Sequence, residues 1–209
     1  MPEKRKKRAS AGVIGIVIAA MLLASRYLGA AEGAALGSLN TVLVIAALFL
    51  CLHLVRRTSA LYQPHVWNAP ATMALFMLPV ATLLATGLQL LFLQTPSFLN
   101  SKPFLTVLIF VSVPVFLCLY FLYVSAKLPE CRQMRVFARV LLGVGVVYSA
   151  LRLSDAVLLP LISELAGRAI NPVILKIASW NTHLSFLIYV MAFGGFFLLH
   201  SALSKETEE

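Results

Sequence analysis

Residues 103–126 of the chain are PFLTVLIFVSVPVFLCLYFLYVSA, a run of 24 residues without a charged side chain. An α-helix rises about 1.5 Å per residue, and about 20 mostly apolar residues cross the hydrocarbon core of a bilayer. Pro103 opens this run, and Lys127 follows its last residue directly. The run therefore predicts a membrane-spanning helix.

The rest of the chain has the same apolar character. Of its 209 residues, 60% are hydrophobic and only 12% are charged, and the mean hydropathy is +0.91. A soluble domain carries about twice that charged fraction. Because each span needs about 20 residues and a connection, a chain of this length has room for about six spans and for no separate soluble domain.

Charges and prolines divide the sequence into six apolar segments. Arg56 and Arg57 stop the second segment, and the fifth must include Arg152 and Asp155 if it is to reach the far side of a bilayer. We predict an all-α polytopic transmembrane bundle in one domain, residues 11–203, between a basic N-terminus (1–10) and a short tail (204–209). The predicted spans are 11–28, 38–55, 70–95, 103–126, 139–162 and 177–203.

The distribution of Lys and Arg predicts the orientation. If the N-terminus lies inside, twelve of the 17 basic residues fall on the inner side and four on the outer side, and Arg152 lies within a span. Basic residues near spans are retained on the cytoplasmic side. We therefore predict that both ends are cytoplasmic, and that the protein is a multi-pass protein of the plasma (inner) membrane.

One alternative for the N-terminus stays open. A basic start, an apolar run from Gly12 to Ala24 and small residues from Gly29 to Ala31 also describe a cleavable signal peptide. Cleavage would leave five spans with the new N-terminus outside, whereas the six-span layout places a basic loop after every even-numbered span.

The net charge of +9 does not indicate a nucleic-acid partner. The densest basic run, Lys4 to Arg8, directly precedes an apolar segment, as expected for residues held near anionic lipid. Aromatic residues, on which bases would stack, do not accompany this run. The lipid bilayer is the predicted partner, and nucleic acid is excluded.

Enzyme motifs are absent from the sequence. It has no His-Glu-x-x-His metal motif, no Gly-x-Ser-x-Gly elbow, no phosphate loop, no Cys-x-x-Cys pair and no paired carboxylates within a span. We predict a protein that is not an enzyme, with no catalytic residue, no metal site and no cofactor.

Small residues recur at helical spacing in the first and last segments. Ala11, Gly15 and Ala19 fall every four residues, and Asn181, Ser185, Ala192 and Gly195 align on one face of the last segment. Such rows let helix backbones approach closely in lipid, so they predict helix contacts, either within the bundle or with another subunit.

Arg152 and Asp155 are the ionisable residues inside the fifth predicted span. Charged groups within a membrane are costly and usually face the protein interior. The two residues are three positions apart in the sequence, so they share a helix face, which also includes Gly145 and Tyr148. At 1.5 Å per residue from Arg139, they lie roughly 20 and 24 Å deep, in the outer half of a core about 30 Å thick.

Other polar residues fall at the same depth, among them Gln89 in the third segment and Asn181 and His183 in the sixth. The pattern predicts an outward-facing ligand pocket, although polar residues are also tolerated near helix ends, and an Arg–Asp pair can simply lock a helix in place. The predicted pocket residues are Tyr148, Arg152, Asp155, Asn181, His183 and Gln89.

Two functions remain open on the sequence. The first is a small permease, or the substrate-binding membrane subunit of a transporter, that takes a small molecule or an ion through this pocket. The second is a non-catalytic accessory, assembly or sensing subunit whose polar residues contact other membrane subunits.

Overall fold

The computed structural model describes residues 2–28, 34–62, 70–91, 96–127, 134–154 and 171–205. These ranges contain no strand, and each holds one long helix with a segment of 19 to 26 residues that is long and apolar enough to cross a membrane. The predicted all-α architecture with six membrane-length helices is confirmed. The helices are α1 (Pro2–Leu28), α2 (Ala34–Tyr62), α3 (Pro70–Leu91), α4 (Pro96–Lys127), α5 (Arg135–Leu153) and α6 (Asn171–Lys205).

Several helices extend beyond the apolar segments that predicted them. Although Arg56 and Arg57 were expected to stop the second segment, α2 continues to Tyr62. The hydroxyl of Thr58 donates a 2.7 Å hydrogen bond to the Leu54 carbonyl, so this polar side chain is satisfied within the helix. Charged side chains end an apolar segment, but they leave the backbone hydrogen bonds of a helix intact.

Helices α5 and α6 begin earlier than the predicted spans. Helix α5 begins at Arg135, four residues before the predicted start, and α6 begins at Asn171, six residues before it. The predicted span residues 92–95 and 155–162 lie outside the described residues.

The six helices form a closed ring. Each helix packs against the next one along the chain, α6 returns to pack against α1, and α4 also contacts α6. In α4, 61% of the span Leu108–Ala126 is buried, compared with 22% to 39% of the other five spans. Helix α4 is therefore the most buried of the six helices.

An aromatic cluster, defined as Phe116, Tyr120, Phe121, Phe137 and Phe196, fills one part of the core. The Phe196 ring centroid lies 4.8 Å from that of Phe121 and 5.8 Å from that of Tyr120. Phe137 of α5 meets Phe121 edge-on at 5.4 Å. The cluster thus ties α4, α5 and α6 together, and aromatic rings at these distances stabilise a core beyond the area they bury.

Helices α1 and α6 approach each other closely at glycines. A Cβ atom on Gly15 would lie 2.0 Å from Cδ1 of Phe196, and one on Gly12 would lie 2.7 Å from the Cα atom of His200. Ala11 and Ala19 are also buried. The small-residue row predicted on the first segment therefore forms a contact within the bundle.

We expect Gly12→Ala to lower the free energy of unfolding by about 1 to 3 kcal/mol, since the added methyl group overpacks the α1–α6 contact against backbone. Gly194→Ala is the matched control, because a Cβ atom there meets nothing within 4 Å and alanine favours a helix by about 0.5 to 1 kcal/mol. Thermal unfolding of the two purified variants in detergent measures both changes in stability. Equal stability of the two variants would contradict the close contact.

Candidate functional site

A cavity of about 290 Å³ lies between the C-terminal parts of α1, α3 and α5, the first part of α2 and the middle parts of α4 and α6. Every helix contributes to its wall, so the cavity is enclosed by the ring itself. One lining residue from each helix, in chain order, is Arg26, Asn40, Gln89, Phe110, Tyr148 and Tyr189.

The cavity wall is amphipathic. Its apolar part comes from Leu22, Val44, Ile109, Phe110 and Val113, and uncharged polar groups come from Ser25, Asn40, Thr41, Thr86, Gln89 and Ser185. Pockets that bind small molecules typically combine an apolar lining with a few polar groups that orient the ligand.

The wall between α1 and α2 is held by a hydrogen bond, in which the Ser25 hydroxyl donates to Oδ1 of Asn40 at 2.5 Å. Next to Ser25, the half-buried Arg26 lines the cavity. The following residue, Tyr27, is 81% exposed and points away from the bundle. The helix phase at the end of α1 therefore directs a cation inward and an aromatic side chain outward.

The cavity floor is closed. The Thr86 hydroxyl donates to the Thr82 carbonyl at 2.8 Å, and the hydroxyls of Thr82 and Ser112 are hydrogen-bonded across the α3–α4 contact. A void beside Pro79 and Thr82 has no room for a water molecule. The aromatic cluster lies further along the bundle, since Phe121 is eleven residues, or about 16 Å, beyond Phe110.

Arg152 lies behind the cavity wall. Its Nε donates a 3.2 Å hydrogen bond to the Tyr148 hydroxyl, which in turn donates to the Phe110 carbonyl at 3.4 Å. The guanidinium carbon is 4.7 Å from the centroid of the Phe110 ring, a cation–π distance. Arg152 therefore contacts two residues that line the cavity, Tyr148 and Phe110.

The structure brings some of the predicted pocket residues together. Tyr148 and Gln89 line the cavity, and Arg152 contacts Tyr148. Asn181 is fully buried on α6, one turn before the lining residue Ser185. Asp155 lies outside the described residues, so the proposed Arg152–Asp155 pair stays a prediction.

His183 does not line the cavity. Its side chain is exposed, as is that of Thr182, whereas Asn181 and Ser185 are buried. Each residue advances about 100° around a helix, so His183 is about 200° from Asn181 and lies on the opposite face. The depth of His183 along its helix suggested that it lines the pocket. Its position around the helix places it on the opposite face.

Arg26 and Tyr189 line the cavity but were not among the predicted pocket residues. Tyr189 follows Ser185 by four residues and shares its face. The charge count could have pointed to Arg26, because it is one of the four basic residues assigned to the outer side. Basic residues are disfavoured on that side of a membrane.

No group of three or more His, Cys, Asp or Glu side chains within the described ranges could hold a metal ion. Neither a family model, nor a curated protein, nor a solved structure matches the chain.

Proposed function

We propose that this protein is a multi-pass membrane protein that binds a small molecule in the cavity, as a small permease or as the substrate-binding membrane subunit of a transporter. The observation that carries the proposal is the cavity itself, which has walls from all six helices. A cavity of about 290 Å³ is just below the range of about 300 to 1,000 Å³ that holds drug-sized ligands. The ligand is accordingly small.

The charge distribution supports a cavity that opens to the outside. The basic run from Lys4 to Arg8 lies at the start of α1, and Arg56 and Arg57 lie near the end of α2, so both are at the opposite end of the bundle from the cavity. Basic residues favour the cytoplasmic side. We therefore propose cytoplasmic termini and an outward-facing cavity, in the plasma (inner) membrane.

The second candidate, an accessory or sensing subunit, would use polar residues on the outer surface of the bundle. The exposed Thr182 and His183 are such residues, although they lie near the start of the membrane-length segment Ser179–Ser204 of α6, where a bilayer interface tolerates polar groups. Co-purification of another membrane subunit through this face of α6 would favour the accessory role.

Cysteine accessibility in intact cells tests the proposed function, in a background from which the native cysteines are removed. A cysteine replacing Gln89 should react with a small impermeant thiol reagent, because it lines a cavity open to water. Leu84→Cys is the control on the same helix, as Leu84 is 64% exposed on the outer face, where lipid excludes the reagent. Protection of Gln89→Cys would contradict an outward-facing cavity.

The same assay tests orientation. Cysteines replacing Ser10 and Thr207 should be labelled only after permeabilisation, whereas one replacing Ser101 should be labelled in intact cells. Labelling at Thr207 without permeabilisation would contradict cytoplasmic termini. An N-terminal sequence that begins near Glu32 would establish signal-peptide cleavage.

A further inference from the structure

The charge that faces the cavity indicates which class of ligand it takes. Arg26 is the one charged residue among the described residues that line the cavity, and none of them is a carboxylate. A basic residue at the end of a span often extends to the membrane surface, where water solvates it. Here the guanidinium-bearing residue faces the cavity, while its neighbour Tyr27 faces outward.

A second guanidinium lies next to the cavity wall. Arg152 stacks on the Phe110 ring at 4.7 Å and bonds the Tyr148 hydroxyl, and both of these residues line the cavity. Arg152 is thus one side chain removed from the cavity, whereas Arg26 lines it together with Tyr189 of α6. Arg26 is therefore the cation that a bound ligand would meet, in surroundings that screen charge less than water does.

The remaining polar groups suit an oxyanion. A guanidinium pairs with a carboxylate or a phosphate through two parallel N–H donors, and hydroxyl and amide side chains can donate to the other lone pairs. The Gln89 amide lines the same cavity as Arg26 and can supply such donors. Leu22, Val44 and Val113 also line the cavity and would contact a hydrocarbon group.

We infer that the cavity binds a small amphipathic oxyanion, with its charged group on Arg26 and its apolar part against α2 and α4. This inference rests on the proposed small-molecule function and narrows its substrate class. A carboxylate best matches one lining guanidinium and the limited volume. The same chemistry is offered by a free organic acid and by the acidic headgroup of a lipid, so the test separates these sources.

Thermal unfolding in detergent tests the inference with defined probes: benzoate and hexanoate, their neutral amides benzamide and hexanamide, and the cation benzylamine. The acids should raise the Tm of the wild type by about 3 to 6 °C at ten times their Kd, and the amides and the amine should not. Arg26→Gln should abolish the shift. Arg26→Lys should retain part of it, because lysine keeps the charge but loses the bidentate geometry.

Lys176→Gln is the matched control, since it removes an exposed cation near the start of α6 that does not line the cavity. It should leave the response to benzoate unchanged. If the acids stabilise Arg26→Gln as much as the wild type, or if neither the acids nor phosphatidylglycerol distinguishes the two proteins, the inference is overturned.

The remaining outcomes distinguish a lipid headgroup from a free acid as the ligand. They also distinguish failure of this inference from failure of the proposed function. Stabilisation by phosphatidylglycerol through Arg26, with no response to the free acids, would support the oxyanion and identify its source as a lipid headgroup. Amides that stabilise wild type and Arg26→Gln alike would overturn the anion preference while leaving a small-molecule cavity. A cavity that fails the Gln89 labelling assay would instead contradict the proposed function itself.

Discussion

Replacing Phe196 by alanine is expected to lower the free energy of unfolding by about 3 to 5 kcal/mol, among the largest effects of any single change in this protein. The Phe196 side chain is fully buried and packs between Tyr120 and Phe121. Its ring also packs against Gly15 of the neighbouring helix α1, where an added Cβ atom would clash with it. Truncation would leave a void at the contact of three helices, and the buried rings around it have little freedom to collapse into that void.

Phe186→Ala is the control for this prediction. Phe186 lies on the same helix but is 55% exposed on the outer face. Lipid tails are as apolar as a phenylalanine ring, so its removal there should have little effect. Thermal unfolding and the monodisperse fraction in detergent are the readouts. A similar loss from both variants would show that the aromatic cluster does not hold the bundle together.

The second prediction concerns Arg152 and Asp155. If they form a buried pair, Arg152→Gln and Asp155→Asn should each cost about 3 kcal/mol, because each leaves one charge without its partner. The double variant should then cost less than the sum of the two. Arg152 also donates to the Tyr148 hydroxyl, so Tyr148→Phe should cost about 1 kcal/mol through this separate hydrogen bond.

The response to ligand distinguishes a pair that only holds α5 in place from a pair that belongs to the binding site. If the pair only locks α5, the double variant should recover both stability and the response to benzoate. If it belongs to the site, stability should recover and the response should not. Additive losses in the double variant would show that the two residues do not interact, and Arg152 would then be held by Tyr148 and Phe110.

Comparison of the predicted pocket with the cavity shows which lining residues can be predicted from the sequence pattern of a single helix. Tyr148 shares a helix face with Arg152, and that periodicity correctly placed the two in contact. Gln89 was selected by its depth and lines the cavity. The same depth argument failed for His183, because depth says nothing about which way a side chain points around the helix. Arg26 was counted among the basic residues of the outer side and not among the pocket residues, since a charge count does not show which way a side chain faces around its helix.

The number and kind of the helices were determined by the sequence alone. Length and hydropathy are properties of a continuous segment, so Pro103 to Ala126 predicts a spanning helix whatever surrounds it. The rows of small residues likewise predicted close helix contacts, although they did not identify the partner of Gly15 as Phe196.

Only the tertiary structure decided where the cavity lies and what lines it. Its wall combines residues as distant in the chain as Arg26 and Tyr189, and its floor depends on the contact of Thr82 with Ser112 across two helices. These contacts arise from the order of packing around the ring, which brings α6 back to α1. Helix packing is set by the complementary surfaces of separate segments, and no single segment of sequence contains both surfaces.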